Sequence, residues 1–165
     1  MSEDNLKKLF QKKWENLYEY LDQNKGCKFP GVYILAYTPK DLKKDEKIKH
    51  KDVFYVGMSN SQGGVNQRLR EFKRAIEGKG SHSGGNRFYR EWMKGKPFSQ
   101  HKGKEKFFVA MVTIPCNVHK NKTKKNSKTR TPKDLRKMGE VAKLEYDVLS
   151  DVLKKTGKEP DLNEK

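Results

Sequence analysis

Three short runs of apolar residues interrupt an otherwise charged chain, and each has the length and composition of a buried β-strand. The runs cover residues 31–37, 53–57 and 107–114. All three are rich in β-branched and aromatic residues and are bounded by Pro, Gly or charge, which is typical of strands in a sheet core. Because proline lacks a backbone donor, we expect Pro39 and Pro115 to end the first and third strands. The second strand is expected to return antiparallel to the first.

Residues 2–21 show helical periodicity instead. Their apolar residues recur three or four positions apart, with Lys and Glu between them, which predicts one amphipathic helix. Ser2 or Asp4 can cap its start, and residues 24–26 end it. We expect this helix to cover one face of the sheet, with a partner-binding helix as the alternative.

A second helix is predicted over residues 65–77. Its apolar residues Val65, Leu69, Phe72 and Ile76 fall at helical spacing, so they share the face that packs against the sheet.

The remaining elements complete the predicted fold. Residues 78–85 form a flexible Gly/Ser loop, after which Asn86 can cap a short helix over residues 87–93. The last helix begins at residues 131–132, where Pro suits a first helical position, and reaches residues 153–155. The pattern therefore predicts an α+β fold in which helices flank a three-stranded antiparallel sheet.

Composition and charge limit the kinds of partner that the chain is expected to bind. The chain has 165 residues, 33% hydrophobic and 36% charged, with a net charge of +17 and a pI of about 9.8. This length supports one domain. The charge indicates a polyanionic partner, with nucleic acid as the first candidate. A basic ribosomal-type protein or a membrane-surface protein would carry the same charge.

The chain contains two cysteines, and its apolar runs are short. Cys27 and Cys116 cannot form a disulfide scaffold or a Cys-x-x-Cys metal site, so we expect reduced thiols, with a single disulfide as the alternative. Residues 1–13 lack the apolar core of a signal peptide, and no run reaches the ~18 apolar residues of a membrane helix. We expect a cytoplasmic protein without a membrane partner.

Two basic segments are candidates for contacts with a nucleic-acid backbone. Residues 40–51 form a charged connection between the first two strands, and residues 118–133 form a flexible loop of Lys, Asn, Thr and Arg. Solvated loops without a role are the alternative. The nucleic-acid contacts predicted in the helices and this loop are Arg70, Lys73, Arg74, Arg87, Lys122, Lys124, Lys125 and Arg130.

One carboxylate lies inside the apolar stripe of the last helix. The helical neighbours of Glu145 are Val141, Ala142, Val148 and Leu149, all apolar. A buried carboxylate needs a partner, because an unpaired buried charge is costly. The partner could be an arginine in a structural pair or a metal ion at the floor of a cleft. The helix alone leaves both interpretations open.

The order of these parts resembles the GIY-YIG nuclease superfamily. Its first motif is present as Gly31-Val32-Tyr33 and its second as Tyr55-Val56-Gly57. Arg68 matches the arginine on the following helix, Glu145 the glutamate on the final helix, and Asn163 the closing asparagine. The match covers residues 30–163, and the five elements occur in the family's order.

Two positions depart from the family pattern. The histidine often found four residues after the arginine is Phe72 here, which has no hydrogen-bonding group, and His82 in the following loop is the candidate to take its place. The connection between the two motif strands is also longer than usual.

The resemblance implies metal-dependent hydrolysis of phosphodiester bonds. Glu145 would hold Mg²⁺, or Mn²⁺, and Arg68 would stabilise charge on the phosphate. Tyr33 would deprotonate or orient the attacking water, Tyr55 would hydrogen-bond the site, and Asn163 would position its edge. Residues 30–163 would form the catalytic core of a single domain spanning residues 1–165, preceded by the helix within residues 1–25.

The function expected from this resemblance is a small DNA endonuclease of the restriction or homing type. A structure-specific repair or recombination nuclease is one alternative, and a non-catalytic nucleic-acid-binding protein on the same scaffold is another. RNA in place of DNA, and a transient dimer, stay open.

Overall fold

The computed structural model describes residues 2–23, 27–40, 42, 48–120 and 128–163, with the backbone alone for residues 2–4. Helices and strands alternate irregularly along the chain, as in an α+β fold. In order they are α1 (Ser2–Gln11), β1 (Glu15–Asn16), α2 (Leu17–Asp22), β2 (Gly31–Thr38), β3 (Val53–Ser59), α3 (Gly64–Ile76), α4 (Ser83–Glu91), β4 (Lys106–Thr113) and α5 (Pro132–Thr156).

The strands form one antiparallel sheet in the order β1-β4-β2-β3. The three predicted strands are β2, β3 and β4, and β3 returns antiparallel to β2 as expected. The prediction of three strands is nevertheless wrong by one. The extra strand, β1, pairs two residues with Val109 and Phe108 at the outer edge of β4, and a strand this short leaves no periodic pattern in the sequence.

The predicted continuous helix over residues 2–21 is also wrong, because the segment crosses an edge of the sheet. Leu9 and Trp14 are buried on one face of the sheet, whereas Leu17 and Leu21 are buried on the other. A single straight helix cannot cover both faces, so the chain breaks at β1. Asn16 then caps α2 by accepting hydrogen bonds from the backbone amides of Tyr18 and Glu19 at 3.0 and 3.3 Å.

The core consequently has two layers. Helices α1 and α5 pack on the face that carries Val32, Ile34 and Ala36. Helices α2, α3 and α4 pack on the opposite face, which carries Tyr33 and Leu35. Successive side chains of a strand point to opposite faces, and β2, buried along nearly its whole length, supplies both layers.

The helix predicted over residues 65–77 is confirmed as α3. Val65, Leu69, Phe72 and Ile76 are all fully buried, as their spacing predicts. The short helix after it, α4, begins four residues earlier than predicted. Its N-cap is His82 rather than Asn86, so part of the expected flexible loop is ordered helix.

The last helix matches its predicted bounds closely. Thr131 caps α5, Pro132 occupies its first turn, and Asp134 completes a capping box with Thr131. Gly157 ends the helix in the left-handed conformation, with φ of 79°, which glycine adopts without strain. Glu145 therefore lies in the middle of a 25-residue helix.

The basic loop over residues 118–133 is described at its two ends. The Arg130 backbone amide donates to the His119 carbonyl at 2.8 Å, and the Asn117 side chain donates to the Lys128 carbonyl at 2.6 Å. These bonds hold the two ends of the loop together. The predicted contact residues Lys122, Lys124 and Lys125 lie outside the described residues, as does half of the segment over residues 40–51.

Two negative findings complete the description. Within the described ranges, none of the helices combines the length and the apolar character that crossing a bilayer would require. Cys27 and Cys116 are both free and form no disulfide.

Candidate active site

The two motif tyrosines lie on the same face of the sheet, on neighbouring strands. Tyr33 of β2 pairs with Gly57 of β3, and Leu35 pairs with Tyr55. Because alternate residues of a strand share a face, Tyr33 and Tyr55 are diagonal neighbours, with ring centroids 6.0 Å apart. Tyr33 is fully buried, whereas Tyr55 is partly exposed.

Glycines make room for these rings. A Cβ at Gly57 would lie 2.6 Å from the hydroxyl of Tyr33 and 2.7 Å from the ring of Tyr55. On α4, a Cβ at Gly84 would lie 2.8 Å from the other edge of the Tyr55 ring. Gly31 has a different role, because a Cβ there would lie 2.3 Å from the Val112 carbonyl of β4. The motif glycines are therefore required by close packing around the tyrosines and between the strands.

His82 joins this pair from the start of α4. Its Nε2 atom lies 3.0 Å from the Tyr33 hydroxyl, and its ring packs edge-on against Tyr55 and Phe72, at 5.4 and 5.3 Å between centroids. Phe72 is itself fully buried and stacks on Tyr55. The position that often carries histidine in the resembled family is thus core packing here, and His82 supplies an imidazole beside the first motif tyrosine.

The hydrogen bonds around His82 fix which nitrogen carries its proton. Nδ1 accepts from the Gly85 backbone amide at 3.3 Å, so the neutral ring carries its proton on Nε2 and donates it to the Tyr33 oxygen. The two tyrosine hydroxyls also act on each other, since Tyr55 raises the pKa of Tyr33 and Tyr33 lowers that of Tyr55. The Ser83 hydroxyl lowers the pKa of Tyr55 as well. His82, Tyr33 and the partly exposed Tyr55 therefore form one polar cluster, in which His82 and Tyr33 are hydrogen-bonded.

Both tyrosines are held neutral in this arrangement. Burial raises the pKa of Tyr33 well above 10, Tyr55 adds to the shift, and the Arg68 charge opposes it. Burial also raises the pKa of Tyr55, again opposed by Arg68. A phenol with a raised pKa is almost entirely protonated at neutral pH, so very little tyrosinate is present to accept a proton. The geometry therefore favours hydroxyls that orient a water molecule over a tyrosinate that deprotonates it.

We expect His82 to make the protein less stable in mild acid. Burial and the Arg68 charge lower the pKa of His82 from 6.5 to about 4, with Glu71 acting in the opposite direction. Between pH 6.5 and 4 the unfolded state binds a proton that the folded state does not, so the free energy of unfolding falls as pH falls. The expected loss is about 3 kcal/mol at 1.36 kcal/mol per pH unit. Urea unfolding at pH 7.0 and 4.0 measures it.

The matched variant for this measurement is His82→Gln, which keeps a donor for Tyr33 but cannot titrate. Because carboxylates titrate in the same range, the informative quantity is the difference in pH dependence between the two proteins. An equal loss of stability in both would show that the folded imidazole does not resist protonation.

Arg68 projects from α3 toward the same cluster. Its charge acts on the pKa of Tyr33, Tyr55, His82 and Glu145, which come from different elements of the fold. It also forms an ion pair with Glu71, one turn further along the helix, at 2.6 Å. This pair holds the guanidinium in place while the side chain stays about one-third exposed.

Glu145 approaches the cluster from α5, across the end of β3. Burial raises the pKa of its carboxyl group, while Arg68 and a hydrogen bond from the Met58 backbone lower it. Among the described residues no cationic side chain forms an ion pair with Glu145, since Arg68 pairs with Glu71. Of the two interpretations that the sequence left open, the structural arginine pair is therefore not formed.

The carboxylate of Glu145 suits a divalent cation that takes few protein ligands. No group of three or more His, Cys, Asp or Glu side chains in the described part of the chain is arranged to hold a metal. A cation at Glu145 would thus have one protein carboxylate and take its other ligands from water and substrate. Mg²⁺ is bound in this manner next to phosphate groups.

Asn163 holds the edge of the site in place through the backbone of β3. Its side-chain oxygen accepts from the Val56 amide and its side-chain nitrogen donates to the Val56 carbonyl, both at 2.8 Å. The adjacent Leu162 amide donates to the Phe54 carbonyl at 3.1 Å. Because β3 is the edge strand, these bonds pair backbone groups that would otherwise lack a strand partner. They fix the strand segment that carries Tyr55 and Gly57.

Four of the predicted nucleic-acid contacts lie on α3 and α4. Arg74 is exposed, and the other three contact neighbouring groups. Lys73 lies 3.4 Å from Asp22, Arg70 donates to the Leu21 carbonyl, and Arg87 lies 2.9 Å from Glu91. The structure places these four cations on the helices that cover the tyrosine face of the sheet.

Sequence reasoning missed three participants. Ser83 and Gly84 were assigned to a flexible loop, although they begin α4 beside Tyr55. Glu71 lies three residues after Arg68, and this i, i+3 spacing of opposite charges is a signal that could have found it.

Comparison of the chain with protein-family models, curated proteins and solved structures gave no match.

Proposed function

We propose that the chain is a divalent-metal-dependent DNA endonuclease of the small restriction or homing type. The observation that supports this best is the convergence of two phenols, a neutral imidazole, a guanidinium and a carboxylate that forms no ion pair with any described residue. They come from β2, β3, α3, α4 and α5, so the fold brings together residues that are up to 112 positions apart, from Tyr33 to Glu145. Packing alone would not require this set of polar groups.

Glu145 holds the divalent cation in this proposal. When bound, the cation polarises a phosphate oxygen and lowers the pKa of a bound water. The Met58 backbone favours the charged form of the carboxylate, and partial burial strengthens its interaction with a cation by limiting solvent screening.

The cationic and phenolic groups act on the phosphate and the attacking water. Arg68 donates hydrogen bonds to the phosphate oxygens as negative charge increases there in the transition state. Tyr55, the more exposed phenol, contacts the water or the phosphate. Tyr33 is buried behind it and acts as a positioning residue, since the bond from His82 holds its hydroxyl toward Tyr55.

The net charge of +17 supports a nucleic-acid substrate. A protein that neutralises about six to ten phosphates loses roughly 10³–10⁵-fold in affinity between 50 and 200 mM salt. We therefore expect binding to be weak at high salt, and cleavage assays to need low ionic strength.

Cleavage of supercoiled plasmid with and without Mg²⁺ tests the proposal. We expect nicked or linear products in Mg²⁺ or Mn²⁺ and none in EDTA. The metal concentration should be on the order of a few mM, because Mg²⁺ sites with few protein ligands are weak. Discrete fragments would indicate site-specific cleavage. Salt-sensitive binding without cleavage of plasmid, flap DNA or RNA would contradict the proposal and favour the non-catalytic alternative.

A further inference from the structure

A groove beside Glu145 is unlike the rest of this basic protein. It has a volume of about 710 Å³ and runs along α5, where Tyr146, Leu149 and Leu153 form its apolar wall. Tyr146 is 71% exposed and Leu153 is 44% exposed, which is unusual for large apolar side chains. Residues three, four and seven positions apart lie on one side of a helix, so the three side chains form one continuous surface.

Among the residues that the structure describes, those that line this groove include no lysine or arginine, although the chain has 38 of them. Two carboxylates line it instead, Glu145 and Glu159. A phosphate group would be repelled here unless a cation were bound. A flat, uncharged, aromatic group would fit better, because it can stack on the Tyr146 ring and cover Leu153.

A second groove adjoins the first at Glu159, which lines both. It has a volume of about 470 Å³ and is lined by the lysines at positions 49, 51, 155 and 158. Lys155 lies ten residues after Glu145 on α5, about a quarter turn around the helix and, at 1.5 Å per residue, about 15 Å along it. That is the length of about four stacked nucleotides at 3.4 Å each.

The two grooves along α5 thus differ in their lining. The groove next to the candidate metal ligand is aromatic and apolar, and the groove beyond it is lined by lysines. Single-stranded nucleic acids are bound by this combination, in which aromatic side chains stack on bases and cations follow the backbone. A base in an intact duplex is stacked on both sides and cannot lie flat on a protein ring.

We propose that the groove at Tyr146 binds an unpaired nucleobase of the substrate, stacked on the Tyr146 ring, with the adjoining phosphates in the lysine-lined groove. A duplex substrate would then have to turn one base out of its stack next to the cut, whereas a single strand presents the base directly. This inference rests on the proposed function for the place of the cut, but the base-binding groove can be tested without cleavage.

The test compares Tyr146→Ala with Tyr146→Phe in EDTA, so that nothing is cleaved. The probes are a single-stranded oligonucleotide that contains 2-aminopurine and a blunt duplex of the same length. We expect Tyr146→Ala to weaken single-strand binding about tenfold or more, since stacking contributes ~1–3 kcal/mol per base. We also expect this variant to lose the fluorescence quenching that wild type shows, while Tyr146→Phe retains both. Duplex affinity should stay within about twofold.

Leu135→Ala is the matched control, because Leu135 is also on α5 and 48% exposed but does not line the groove. It should change neither affinity. Thermal unfolding should be unchanged for all variants, since these side chains are exposed. An undiminished single-strand affinity in Tyr146→Ala would overturn the inference. So would equal losses for single strand and duplex, or no binding of either oligonucleotide.

The plasmid assay separates this inference from the proposed function. Metal-dependent cleavage with no effect of Tyr146 on base binding would overturn the inference alone. Binding that depends on Tyr146, without cleavage of any substrate, would support the groove and contradict the nuclease.

Discussion

Glu145→Gln is expected to abolish metal-dependent cleavage while leaving the fold and DNA binding intact. Loss of a metal ligand removes several kcal/mol of transition-state stabilisation. At 1.36 kcal/mol per tenfold, that corresponds to a decrease of about 10²–10³-fold or more in the cleavage rate. Initial rates of plasmid nicking in Mg²⁺ measure the effect.

Glutamine is the informative replacement because it has nearly the same shape as glutamate. Its side-chain oxygen can still accept from the Met58 backbone, so the hydrogen bond that fixes the side chain is kept. Burial raises the pKa of the Glu145 carboxyl, which means that the folded protein holds its charged form at a cost. Removing this charge should leave the free energy of unfolding unchanged or slightly increased.

Glu140→Gln is the matched control, since Glu140 is on the same helix and changes the net charge equally. We expect it to cleave at the wild-type rate. DNA affinity in EDTA should be unchanged or higher in both variants, because each removes one negative charge from a protein that binds a polyanion. Wild-type cleavage by Glu145→Gln would remove the carboxylate from the mechanism and return it to a structural role in α5.

Much of the framework was predictable because local pattern and tertiary packing agree there. The strands β2, β3 and β4 are apolar runs in sequence and buried in the sheet. The apolar spacing in α3 matched its buried face, and Glu145 was identifiable as a carboxylate in an apolar stripe. In each case the pattern of apolar residues nearby in the sequence was enough to predict which residues are buried.

The errors occur where long-range packing decides the outcome. Leu9 and Leu17 continue one helical pattern, yet they are buried on opposite faces of the sheet. Apolar periodicity predicts that a residue is buried, but it does not show on which face of the sheet. The break at β1 therefore could not be predicted. His82 was a predicted site residue, but its hydrogen bond to Tyr33, 49 residues away in the sequence, could not be predicted for the same reason.

Arg68→Ala is the second substitution with a large expected effect. We expect kcat to decrease about 10²–10³-fold, which is the typical loss when one preorganised hydrogen-bond donor to the charge of the transition state is removed. The exposure of Arg68 indicates that the substitution should lower the rate without unfolding the protein. The Arg68–Glu71 pair is about one-third exposed, so its loss should change the free energy of unfolding by only about 0–1 kcal/mol. The folded variant should still bind DNA.

Two further variants distinguish catalysis from general attraction to DNA. Arg68→Lys keeps the charge but loses the planar pair of donors, so it should recover only part of the lost rate. Arg74→Ala removes an exposed cation from the same helix and should weaken binding, raising KM while kcat stays near wild type. The two arginines lie on one helix and differ in what they face, since only Arg68 acts on both tyrosines and on Glu145. If Arg68→Ala and Arg74→Ala changed KM equally and left kcat intact, Arg68 would be one backbone contact among many, and the phosphate would have to be stabilised elsewhere.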